Sequence, residues 1–101
     1  MKVTKQKEGD LLTVKIEGNI NINTAADLRK SLKGELEGVN KVIFDLKDTD
    51  YTSSAGLRVI LETYQELCKK GGTMVMENVS KDFYDILKLS GFTDFLDIRQ
   101  A

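Results

Sequence analysis

A chain of 101 residues that is 41% hydrophobic and 31% charged has the composition of one folded domain, 1–101, with a single core. Its 15 basic and 16 acidic residues nearly balance, at a net charge of −1, which excludes nucleic-acid binding by bulk charge. With no histidine and one cysteine, it excludes Ser-His-Asp, Cys-His and His-metal chemistry, an internal disulfide and a thiolate zinc cluster, and so weighs against an enzyme.

Residues 2–7 form a polar strand pattern, followed by the turn Glu8-Gly9-Asp10. In LLTVKIEG, Leu12, Val14 and Ile16 alternate with polar residues, which predicts a half-buried strand in a hairpin with 2–7. Ala25, Leu28, Leu32 and Leu36 recur at helical spacing, and Thr24 with Asp27 three residues on reads as its capped start, so a helix is expected over 24–36. KVIFDL (41–46) is a strand with Val42, Phe44 and Leu46 on one face. Leu57, Ile60, Leu61, Tyr64 and Cys68 then form a second helical stripe, over about residues 55–70, closed by Lys69-Lys70-Gly71-Gly72. TMVME (73–77) is a short strand with Met74 and Met76 as core filler. Ser80 caps a third helix carrying Phe83, Ile86, Leu87 and Ser90 on one side, Gly91 ends it, and a last strand is expected around 95–99.

The order β-β-α-β-α-β-α-β implies an antiparallel hairpin followed by parallel crossovers, hence a mixed, mostly parallel sheet. Because the strands alternate rather than run apolar throughout, the helices are expected on one face only, in a two-layer α/β domain. No apolar run approaches the ~20 residues that span a bilayer. The N-terminus MKVTKQKEGD lacks the apolar core of a signal peptide, so no membrane and a cytoplasmic location are expected.

Several clusters have a functional and a plain reading. The glycines form neither dinucleotide nor phosphate-loop signatures, leaving no support for a bound nucleotide or other cofactor. Asp45, Asp48 and Asp50 have the composition of a metal or phosphoacceptor site, but a solvated loop explains them better. Cys68 falls on the apolar stripe and is expected to be buried. Lys69-Lys70 is a helix-end pair without the aromatics of a nucleic-acid patch.

DTDYTSSAGLRVIL (48–61) is different. It sets Thr52, Ser53, Ser54, Ala55 and Gly56 at the junction of loop and helix. A serine cap explains one of these residues. A phosphate on a serine here would meet free backbone N–H groups and the positive end of the helix, and Arg58, four residues beyond Ser54, is placed to pair with it. Asn21, Asn23 and Thr24 follow a strand of the same sheet, and parallel crossovers put such loops at one edge, so they are expected beside 51–58.

These segments resemble the STAS domain, and within it the bacterial anti-sigma factor antagonists. The resemblance runs through Gly18-Asn19-Ile20-Asn21-Ile22-Asn23-Thr24-Ala25-Ala26-Asp27-Leu28, VIFDL, YTSSAGLRVIL, GGTMVMENVS and the stretch Phe83 to Phe92. It implies a switch rather than a catalyst. The unphosphorylated antagonist binds an anti-sigma factor that is also a serine protein kinase, releasing the sigma factor. Phosphorylation from ATP ends the contact, and a metal-dependent PP2C-type phosphatase restores it. Aligned on Gly56-Leu57, the phosphoacceptor is Ser54, with Ser53 the alternative. The resemblance and the loop placement together assign Asn21, Asn23, Thr24, Tyr51, Thr52, Ser53, Ser54, Gly56, Leu57 and Arg58 to partner binding, by a chain that is monomeric when free. Asn21 stands where many antagonists carry Asp. The other reading the family offers is a constitutive scaffold using the same surface without phosphorylation.

Overall fold

The computed structural model describes all 101 residues. Seven elements carry the architecture up to the last helix: β1 (Lys2–Glu8), β2 (Leu11–Glu17), α1 (Ile22–Leu32), β3 (Lys41–Asp48), α2 (Ser54–Lys69), β4 (Thr73–Val79) and α3 (Lys81–Leu89). A short 3-10 turn, Phe92–Asp94, then leads into β5 (Asp97–Gln100). The five strands lie in chain order in one sheet. Only the β1–β2 hairpin is antiparallel, with Val3 opposite Ile16, and the other three pairings are parallel. Crossovers of one hand between successive neighbours put all three helices on the same face. One cluster of 22 buried residues joins that face, from Leu12, Val14, Ile16, Val42, Phe44, Leu46, Met74 and Met76, to Leu28 of α1, Ile60 and Leu67 of α2, and Phe83 and Leu87 of α3. The two-layer mixed α/β architecture expected from the sequence is the one found.

Four local readings change. α1 starts two residues early and ends four early. Its cap is Asn21, and Thr24 is the third helical residue, closing a reciprocal box: Asn21 Oδ1 accepts from the Thr24 N–H at 2.9 Å, and Thr24 Oγ1 accepts from the Asn21 N–H at 2.8 Å. Lys33 is already extended and Gly34 takes φ +77°, so Leu36 reaches the core from a turn rather than a helix. That turn is clamped by two lysines, Lys5 donating to the Ser31 carbonyl at 2.7 Å and to Glu35 at 3.0 Å, and Lys70 donating to the Leu36 carbonyl.

Cys68 is exposed, not buried. The buried line of α2 runs through Leu57, Ile60, Thr63 and Leu67, and Cys68 lies about 100° round the helix from Leu67. Next to it, the thiol pushes the Tyr64 hydroxyl above its ordinary pKa. On α3, Ser90 is an exposed cap, not part of the inner face. The last strand begins two residues late because Phe92–Asp94 turns first, which sets Phe95 against Tyr64 in a tilted pair with ring centroids 5.1 Å apart.

The uncovered face of the sheet is not uniformly polar. Val75 points away from Met74 and Met76 yet is only 4% exposed, with Ile43 and Asp97 its partners across the strands.

Candidate functional site

The site forms where β2 and β3 end. Past the regular strands, the two loops stay paired. The Gly18 N–H donates to the Asp48 carbonyl at 2.9 Å, Ile20 N–H to the Tyr51 carbonyl at 3.0 Å, and Ser53 N–H to the Ile20 carbonyl at 2.7 Å. Ile20 and Thr52 make a parallel bridge. Thr49, fully buried, pins the junction by donating its hydroxyl to the Ile16 carbonyl at 2.7 Å. Every buried side-chain polar atom in the molecule has such a partner.

Both chains then enter helices one residue after their caps. Asn21 caps α1 and Ser53 caps α2, the Ser53 hydroxyl accepting from the Gly56 N–H at 3.3 Å. Ile22 and Ser54 are therefore the first helical residues of two helices whose starts lie side by side, each two positions beyond the Ile20–Thr52 bridge. The segment 51–58 and the residues Asn21, Asn23 and Thr24 lie at the same end of the sheet.

Gly56 holds the two starts together. A Cβ there would sit 2.1 Å from Thr52 Oγ1 and 2.7 Å from Ile20 Cγ2, both on buried residues. Only a glycine lets the first turn of α2 approach the bridge this closely. Thr52, Gly56 and Leu57 are buried, so they shape the surface without presenting side chains to it. The exposed groups are Asn21, Asn23, Tyr51, Ser54 and Arg58, with Thr24 and Ser53 half-buried.

The two serines differ in availability. The Ser53 hydroxyl is engaged in the cap, whereas Ser54 is exposed at the first helical position, and α2 has no acidic residue in its first turn to compete with an added anion. Arg58 belongs to no ion pair, leaving its guanidinium available one turn on. The three aspartates read from the sequence as a cluster are spread out. Asp45 accepts from Asn78 Nδ2 at 3.0 Å on the open face, Asp48 pairs with Lys15 at 3.6 Å, and Asp50 is exposed and unpaired. The residue that sequence reasoning passed over is Ile22, 72% exposed between the assigned Asn21 and Asn23. Its signal was its place just after a capping residue and off the Ala25-Leu28-Leu32 stripe.

Residues 2–101 match the STAS domain family. This chain belongs to that family. The STAS domain is 34% identical over 94 residues to the anti-sigma-B factor antagonist of Bacillus subtilis, covering 93% of this chain and 85% of that one. In structure it is similar to TM1081 of Thermotoga maritima, at a TM-score of 0.89 and 20% identity over 98% of this chain and 86% of that one. It is also similar to SpoIIAA in its unphosphorylated form, at a TM-score of 0.79 and 14% identity over 99% and 89% of the two chains. These likenesses support the α/β fold with its five-strand mixed sheet and three helices. No helix is long and apolar enough to cross a membrane.

Proposed function

We propose that this STAS domain is an anti-sigma factor antagonist: in its unphosphorylated state it binds an anti-sigma factor that is also a serine kinase, and phosphorylation of Ser54 ends the contact. The observation that carries the reading is an exposed, uncommitted Ser54 hydroxyl at the start of α2, beside a serine whose own hydroxyl caps that helix. The name of the Bacillus subtilis relative supports the antagonist role. In the phosphoryl transfer, Ser54 Oγ would attack the γ-phosphorus of ATP held by the kinase, losing its proton to a base of the kinase and releasing ADP. A PP2C-type phosphatase would hydrolyse the phosphoserine. The protein would act as a cytoplasmic monomer, a substrate and ligand rather than a catalyst.

The test uses purified anti-sigma factor kinase from the same organism. Ser54→Ala should bind it and take up no phosphate, and Ser54→Asp should bind more weakly, because a carboxylate brings charge into a contact fitted to a neutral hydroxyl. Phosphate mapped to Ser53, with Ser54→Ala still modified, would move the assignment by one residue. Binding with no phosphorylation of either serine would leave a constitutive scaffold.

A further inference from the structure

Of the large apolar side chains in solvent at this end of the sheet, Ile22 at 72% and Tyr51 at 49% are more exposed than Met1, which is 39% exposed beside Gly18. Ile22 and Tyr51 sit on segments joined by the Ile20 N–H···Tyr51 carbonyl bond, with Ser54 level with Ile22 beyond the bridge. Neither is needed by the fold. Ile22 is absent from the core cluster and follows a cap that is complete without its side chain. At a first helical position, an acidic residue or a proline would serve α1 better than a β-branched residue. Asp50, next to Tyr51, belongs to no ion pair, and neither do the cations Lys47, at the end of β3, and Arg58, so the charge around the two apolar side chains has no single sign.

We infer that Ile22, supported by Tyr51, is the apolar anchor of the partner contact, and that the anti-sigma factor receives it in an apolar pocket. The inference rests on the antagonist reading above and names what the partner must look like. Interfaces concentrate their affinity in a few large side chains near the centre, ringed by contacts that exclude water. An anchor level with Ser54 also explains how one phosphate could end binding. The added dianion would have to enter the desolvated ring around the anchor, where an incompletely paired charge is costly.

The experiment measures affinity for the purified anti-sigma factor kinase by calorimetry, with four proteins: wild type, Ile22→Ala, Ile22→Leu and Leu89→Ala. Leu89 is 89% exposed on α3 and serves as the control for loss of an exposed apolar side chain. Ile22→Ala should bind at least about tenfold more weakly, Ile22→Leu within about threefold of wild type, and Leu89→Ala unchanged. All four should melt alike, since none of the changes touches the core. Wild-type binding with an undiminished Ile22→Ala affinity overturns the anchor and leaves the antagonist reading standing. Absence of wild-type binding overturns the antagonist reading and the anchor with it.

Discussion

Gly56→Ala sets helix propensity against packing, and the two predict opposite signs. Alanine inside a helix is favoured over glycine by about 1 kcal/mol. If Gly56 were merely a flexible residue of a binding loop, the variant would be more stable than wild type. The structure says otherwise, because the new methyl would meet Thr52 Oγ1 at 2.1 Å and Ile20 Cγ2 at 2.7 Å. Thr52 is 2% exposed and Ile20 fully buried, so neither side chain has open space to move into. Overpacking of this kind costs typically ~1–3 kcal/mol, and two clashes place it near the top of that range. The net loss is then about 2 kcal/mol, or roughly 8–16 °C in melting temperature for a domain near this size. Thermal melts followed by circular dichroism read this directly. Thr52→Ala removes one of the two clashing atoms, so the Gly56→Ala change should cost less in a Thr52→Ala background than in wild type. A Gly56→Ala protein that melts at or above wild type would refute the packing argument.

The caps give a second contrast: Ser53→Ala should lose about 1 kcal/mol by freeing the Gly56 N–H, whereas Ser54→Ala should melt like wild type. Phosphorylation of Ser54 should leave the melting temperature nearly unchanged, because the helix N-terminus favours the anion by ~0.3–1 kcal/mol against repulsion from Asp48 and Asp50; a large drop would mean that the switch works by local unfolding. Lys5 holds the Glu35 carboxyl below its ordinary pKa, so this pair stabilises the fold at neutral pH and the benefit is lost as pH falls through that lowered value. Glu35→Gln should therefore melt below wild type at neutral pH, with the gap narrowing as the pH falls through the lowered Glu35 value.

Much of the fold was legible in the sequence because it rests on local periodicity. Leu12, Val14 and Ile16 at period two, Ala25, Leu28 and Leu32 at helical spacing, and the turn glycines needed no knowledge of distant residues. The mixed, mostly parallel sheet followed, since each parallel pair needs a crossover helix. At the site, the junction serines and the Asn21 loop stood out through residue type and position after a strand. Tertiary contacts decided the rest. Thr24 read as the cap of α1, and its reciprocal hydrogen bonds with Asn21 show that Asn21 is the cap. Leu36 continued a helical stripe, but the Gly34 conformation and the Lys5 and Lys70 clamps broke the helix before it. Cys68 and Leu67 are neighbours in sequence about 100° apart on the helix, and only the position of the sheet determined which faced inward. Gly56 read as one of the small residues at a helix start, and the approach of Ile20 and Thr52 showed it to be a contact point. Ile22 stood off the Ala25-Leu28-Leu32 stripe, but only the surface it leaves uncovered showed it to be unpartnered.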